Sequence, residues 1–302
     1  LRRTQLLRVW EELFGLTEPS AFRDLEEAVE WRRVAAGEVL MRQGEASDAM
    51  YVVVTGRFRT IVKGPDGADV AVRETGAFST LGELGLLAEL PRSATVLALR
   101  DSDVIRLSRE AFRGFALRHP EALLKVASIV AERQMNGHAP RSRASGPAKA
   151  PGGLTIALVP LTEDPESLAL GRTLAERLGA LGDTLVLGAA AFDERHGRSG
   201  AANTPLSGPL SLAVDVSLRE LEDRTRFLIL DAGAGWTVWS ERCLRRADRI
   251  VLVADASASP VPGAVEERLA ALKLPARTEL VLVHAASTDQ PRGTSEWLAH
   301  RA

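Results

Sequence analysis

The chain has 302 residues, 45% hydrophobic and 26% charged, with a formal net charge of -2. That length holds two ordinary soluble domains. The near-neutral balance and the 5% aromatic content argue against a basic, base-stacking nucleic-acid surface.

Cys243 is the sole cysteine, so no intrachain disulfide forms and the chain fits a reducing compartment. No apolar run reaches the roughly 18 residues of a membrane-spanning helix. The Arg-rich, amphipathic beginning lacks a secretory apolar core. These features lead us to expect a cytoplasmic protein. The sequence starts at Leu1 rather than Met, which leaves an upstream membrane anchor open.

In chain order, "TQLLRVWEELFGL" and "AFRDLEEAVEWRRV" carry apolar residues at helical spacing and predict helices over 4–16 and 21–34. Six strand-like runs follow: "GEVLMRQ", "AMYVVVTG", "RFRTIVKG", "DVAVRET", "SATVLALR" and "SDVIRLS". "GPDGAD", Gly64 to Asp69, predicts a hairpin turn. Short strands at this spacing predict a β-barrel or jelly roll. "REAFRGFALRHPEALLKVASIVAERQ" returns to helix, with Ser108 as N-cap and Pro120 opening a second helix after a break at His119.

"NGHAPRSRASGPAKAPGG" mixes Pro, Gly and basic residues without an apolar period and predicts a flexible linker over 136–153. It separates a first domain over 1–135 from a second over 154–302. In the second, "LTIALVPL", "TLVLGA", "RFLILDAG", "RIVLVADAS" and "TELVLVHA" are continuous apolar runs, as buried parallel strands require. Helical patterns lie between them at 165–181, 210–224, 236–248 and 263–274. The alternation predicts a doubly wound α/β domain with a mainly parallel sheet. "ERHGRSGAANTPLSG", 194–208, reads as a surface loop.

The chemistry concentrates in "GELGLLAELPRSATV". Arg92 offers a fork that suits phosphate oxygens, Ser93 a hydroxyl donor, and the turn at Gly82, Leu84 and Gly85 backbone N–H groups. Glu83 would repel phosphate but accept hydrogen bonds from a sugar hydroxyl. Together they suit a ribose phosphate. A plain Glu83–Arg92 ion pair and a site for another small anion are the alternatives.

These residues, with "QGEASDAMYVVVTGRFRTIV" and "HPEALLKVASIVAERQ", resemble the cyclic nucleotide-binding domain family over roughly 16–134. The resemblance implies that Glu83 binds the ribose 2′-hydroxyl. Arg92, with Ser93 and Ala94, holds the cyclic phosphate, and Gly82, Leu84 and Gly85 contribute backbone N–H groups. Gly44 and Gly56 match the family's turn glycines. Five residues, "AFSTL", separate Gly76 from Gly82, where the family usually has fewer. The base commonly meets the last helix, where Ser128 and Arg133 are polar candidates. Ser93-Ala94 carries no guanine-favouring signal, which leans the ligand towards cAMP over cGMP.

The second domain lacks the glycines and Lys-Ser/Thr of a phosphate loop, and Glu163 and Asp164 stand where phosphates would sit. ATP hydrolysis is therefore not expected, and Asp231 reads as a strand-end turn or cap residue. No G-x-S-x-G elbow and no histidine pair at metal spacing occurs. Cys243 reads as a packed thiol. "WTVWSERCLRRAD" and "SEWLAHR" resemble the segment preceding the catalytic domain in patatin-like phospholipases of the neuropathy target esterase type. That resemblance implies a regulatory chain with no catalytic or metal residues of its own and no resident cofactor. It would couple a cyclic nucleotide to a C-terminal patatin-like serine esterase in cis. Homodimerisation is a further expectation, membrane contact is expected only through the full-length protein, and nucleic acid is not expected. The alternative is a ligand-free structural or dimerisation scaffold. A transcription factor is disfavoured, because no basic recognition helix follows the barrel.

Overall fold

In the computed structural model, the described residues are 6–7, 9–11, 13, 18–64, 68–88, 90–137, 153–207, 209–285, 288 and 290–301. They divide into two units, Leu1–Pro151 and Gly152–Ala302.

The first unit opens with helical backbone that buries Leu6, Val9, Trp10 and Leu13, the one-face spacing of an amphipathic helix. Trp10 meets Phe115 edge to face, ring centroids 5.1 Å apart. Helix α1, Pro19–Ala28, buries Ala21, Phe22 and Leu25. The helix expected through Val34 ends at Ala28. "VEWRRV" forms strand β1, Val29–Val34, paired antiparallel with β8, Ser102–Ser108. Pairing with a distant strand overrides the local helical period here.

The other strands are β2 (Val39–Met41), β3 (Ala49–Thr55), β4 (Arg57–Lys63), β5 (Asp69–Gly76), β6 (Ser79–Leu81) and β7 (Thr95–Ala98). Helices α2 (Glu83–Ala88), α3 (Arg109–Arg118) and α4 (Pro120–Gly137) complete the unit. Two four-stranded sheets form, β1-β8-β3-β6 and β2-β7-β4-β5. Every residue of β3 is buried, and the strand alternates between two cores. Tyr51 and Val53 pack between the sheets with Phe58 and Val96, whereas Met50, Val52 and Val54 pack under the helices with Phe112 and Phe115.

The expected hairpin joins β4 to β5, with Lys63 opposite Asp69 and the Gly64 N–H donating to Ala68 O at 2.8 Å. Pro65–Gly67 lie outside the described residues. Ser108 caps α3 by accepting from the Ala111 N–H at 3.1 Å. The expected linker loses its first two residues to α4, which runs to Gly137. Its remainder falls outside the described residues, apart from Gly153.

The second unit has strands β9 (Leu154–Pro160), β10 (Thr184–Leu187), β11 (Phe227–Asp231), β12 (Arg249–Asp255) and β13 (Arg277–Val283). Their order is β10-β11-β9-β12-β13, with every pair parallel. Helices α5 (Pro165–Gly179), α7 (Pro209–Arg224), α8 (Val238–Arg246) and α9 (Ala264–Leu272) match the expected pattern. Helices α6 (Ala189–His196) and α10 (Thr294–Ala299) were not anticipated. Alternate strand residues enter two cores, Ala157, Leu228 and Leu252 in one and Ile156, Ile229 and Val251 in the other. Both faces are thus covered, which explains the continuous apolar runs. Among the described residues no helix is long and apolar enough to cross a membrane.

The stretch expected to be a surface loop is largely anchored. It begins inside α6, and Ala201 and Ala202 are fully buried. The Asp193 carboxylate accepts from the Gly200 and Ala202 N–H groups at 2.6 and 2.7 Å. Arg242, 2% exposed, donates to Asp215 at 2.9 Å and to Thr204 O at 2.9 Å. Arg246 adds Glu222 at 3.0 Å. Breaking a buried ion pair leaves an uncompensated charge. Arg242→Ala is therefore expected to destabilise the second unit by about 3–5 kcal/mol, read as a lowered urea midpoint, and to raise amide exchange across 198–205. A change under about 1 kcal/mol would show that the network contributes no more than a surface pair.

Candidate functional site

The cradle lies between β6 and β7. Part of the long link after Gly76 is strand: Ser79–Leu81 pair with Val53–Tyr51 of β3. Phe78 supplies the turn into it at φ 56°, its N–H donating to Val53 O at 2.8 Å. Gly82 follows at φ +75°, and a Cβ there would collide with the Arg92 guanidinium. Gly85 faces Ser47 so closely that any side chain would strike it. Both glycines let other groups approach the turn.

Arg92 is 5% exposed. One terminal nitrogen, Nη1, donates to Ala49 O at 2.7 Å and Gly82 O at 3.3 Å, and Nη2 reaches Asp48 at 3.4 Å. The guanidinium carbon stands 5.8 Å from the Tyr51 ring centroid. Burial pulls its pKa below the ordinary range, opposed by Tyr51 and Asp48, and an arginine there remains charged. Its backbone is fixed by exchange with the turn at Gly44: Gly44 N–H donates to Arg92 O, and Arg92 N–H to Glu45 O, both at 2.9 Å. Arg109 holds the cradle from α3, donating to Ser47 O at 2.5 Å and Gly85 O at 3.0 Å.

Glu83 opens α2 and is 7% exposed. The expected residues Gly82–Gly85 and Arg92–Ala94 all line one cavity of about 90 Å³. The opposite wall carries Met41, Thr60, Arg73 and Val96. None of these four is in the cradle motif. They reach it through the strand register, and only the hairpin signal at Gly64–Asp69 hinted at that. On α4, the Ser128 hydroxyl donates to Leu124 O of its own helix at 2.9 Å. The Arg133 side chain lies outside the described residues.

In the second unit the sheet order reverses around β9, where doubly wound folds bind ligands beyond the carboxyl ends of the strands. That position is internally filled. Asp164 accepts from the Ser167 N–H at 2.7 Å and from the Thr162 hydroxyl at 2.5 Å, and Thr162 accepts from the Asp255 N–H at 2.9 Å. A carboxylate of the chain itself thus takes the N-terminus of α5. Burial opposes its charge, but the Ser167 and Thr162 hydrogen bonds hold Asp164 below its ordinary value. Asp231 accepts from the Gly233 N–H at 2.9 Å and serves as a turn residue. Thr237 and Ser240 form a capping box on α8, and the Asn203 side chain accepts from the Trp239 N–H at 3.0 Å. Cys243 is fully buried, and burial pushes its thiol well up. No group of metal-binding residues occurs among the described residues.

Residues 31–119 match the cyclic nucleotide-binding domain family, and residues 154–302 match the Neuropathy Target Esterase family P-loop like domain. The chain is 30% identical over 298 residues to lysophospholipase nte1 of Aspergillus oryzae, covering 94% of this chain and 19% of that protein. It is 28% identical over 296 residues to patatin-like phospholipase domain-containing protein 7 of Rattus norvegicus, covering 94% and 22%. The chain spans about a fifth of the length of either relative. A crystal structure of Thermus thermophilus catabolite activator protein aligns over 41% of this chain and 59% of that one, at 26% identity and a TM-score of 0.40.

The filled seat at α5 has a direct test. Asp164→Ala is expected to destabilise the second unit by about 1 kcal/mol, as loss of an N-cap does. Because the carboxyl is held below its ordinary value of 3.8, the cap's contribution is complete above that value and is lost as pH falls through the depressed one. Urea unfolding of both proteins should show a constant gap from neutral pH to about 4, closing below it. A gap that closes between pH 5 and 7 would contradict the assignment.

Proposed function

We propose that this chain, a cyclic nucleotide-binding domain joined to a Neuropathy Target Esterase family P-loop like domain, is the cyclic-nucleotide-sensing regulatory part of a lipid esterase. The observation that carries the reading is the gathering of Gly82–Gly85 and Arg92–Ala94 around one cavity, with a buried, backbone-fixed guanidinium on one side and the Glu83 carboxylate on the other. Phosphate at Arg92 and Ser93, and the ribose hydroxyl at Glu83, meet the opposite requirements of these groups. Ser93-Ala94 places no guanine-selecting group in the cradle, so cAMP is accepted there.

The cavity holds the ribose phosphate end. A whole nucleotide needs about 300 Å³ or more, so binding widens the cavity, and that rearrangement is where the ligand's differential affinity acts. The relatives' names motivate the rest of the proposal. A patatin-like serine esterase following in the full-length protein receives the signal, and this chain performs no chemistry. We place the protein in the cytoplasm, with membrane contact through the full-length chain and self-association as a homodimer. The small cavity also favours the second reading, a ligand-free scaffold.

Titration calorimetry of the 302-residue chain separates the two readings. Sensing predicts heat of binding for cAMP or cGMP, weakened about ten- to a hundredfold in Arg92→Ala, the loss of a charge-assisted pair, and reduced in Glu83→Gln. Absence of binding by either nucleotide up to millimolar concentration, with unchanged mass by light scattering, would leave the scaffold.

A further inference from the structure

Arg73 lines the cavity but stands outside the cradle motif. It lies on β5 directly opposite Thr60 of β4, and Thr60 lies opposite Val96 of β7. Directly opposed residues share a face of a sheet, so Val96, Thr60 and Arg73 form one row, and all three line the cavity. β7 leaves the cradle just after Ala94, and β5 stands two strands beyond it in the sheet order. That is roughly 10 Å at the usual strand spacing. Arg73 therefore meets the cavity at the end away from Arg92, where the base of a nucleotide held by its phosphate would project. Beside it the Thr60 hydroxyl is buried and makes no hydrogen bond among the described residues.

The charges agree with this placement. Two guanidiniums, Arg73 and Arg92, and one carboxylate, Glu83, line the cavity. Their sum of one positive charge balances the single negative charge of a cyclic phosphodiester.

We infer that Arg73 reads the base of the ligand and favours guanine; the inference rests on the sensing function proposed above. Guanine presents two acceptors, O6 and N7, on one edge, and the arginine fork presents two parallel donors that match them. Adenine presents N7 beside the N6 amino donor, so a guanidinium satisfies one atom and faces a donor with the other. Arginine carries five donors, so Arg73 can keep a protein partner and still present a pair to the base. cAMP remains a ligand because the cradle does not touch the base. cGMP is the tighter of the two.

Calorimetry on the 302-residue chain with cGMP, cAMP and cyclic inosine monophosphate tests this. The inosine ligand keeps O6 and N7 but lacks the 2-amino group. Wild-type protein is expected to bind the guanine and inosine ligands alike, both about tenfold or more tighter than cAMP, the worth of one bidentate pair. Arg73→Ala should erase the difference while changing cAMP binding less than about threefold. Arg73→Lys keeps the charge without the fork and should also lose the selectivity, which covers the case of an alanine variant that fails to fold. Tighter binding of cAMP by the wild type, or equal weakening of all three ligands in both variants, overturns the inference and leaves sensing intact. If the wild type binds none of them, the sensing function falls and this inference with it.

Discussion

The first unit is organised around a charge that it has to bury. The Arg92 guanidinium is almost wholly removed from water, and an ion in that position is expensive unless its donors are used. Three separate segments use them: Ala49 at the start of β3, Gly82 at the end of β6, and Asp48 in the turn before β3. Each is far from Arg92 in sequence or on the other side of a turn, so the barrel has to close before the charge is satisfied. The turn glycines follow from the same demand. A side chain at Gly82 would occupy the volume of the guanidinium, and the bend at Gly44 brings backbone partners to both sides of Arg92.

The second unit meets its buried charges differently. Arg242, Arg246, Asp215 and Glu222 satisfy one another, and Arg242 also ties down the backbone at Thr204. The helix N-termini that a doubly wound fold could offer to phosphate are likewise taken by the chain's own side chains. Asp164 serves α5, and Thr237, Ser240 and Asn203 serve α8. The contrast with the first unit is chemical. There the acid of the site, Glu83, and the bases stand around a cavity; here acid and base are in direct contact and no room is left between them.

Much of this was legible in the sequence wherever the signal was local. The cradle motif, the Ser108 cap, the β4–β5 hairpin and the five buried parallel strands all follow from residue types at short spacing. What escaped was set by distant partners. Val29–Val34 has a helical period, and pairing with Ser102–Ser108 makes it a strand. Ser79–Leu81 is too short to declare itself and becomes β6 only beside β3. Arg73 and Thr60 belong to the cavity through sheet register, which no short motif encodes. The anchored stretch after α6 looked like a loop because its Gly, Ala, Asn and Pro content is that of a loop. Its order comes from Asp193 and from Arg242, which lies about 40 residues downstream.

The partners of Arg92 also determine what an incoming anion would have to displace. The two backbone carbonyls are fixed by the barrel, but Asp48 has a side chain 65% exposed and is shared with Arg106, which binds it at 2.7 Å. Arg106 in turn reaches Glu30 on β1 at 3.3 Å. A phosphate at Arg92 therefore competes with the weakest of its contacts, the 3.4 Å reach to a solvated carboxylate, and leaves the buried ones in place. Asp48 can give up that contact at little cost, because Arg106 still holds it. The response available to the unit is a redistribution along Asp48, Arg106 and Glu30, on the face where β1 and β8 pair. Surface pairs of this kind are individually weak. Any larger response has to come from the widening of the cavity itself, where backbone-fixed groups and buried strands would move.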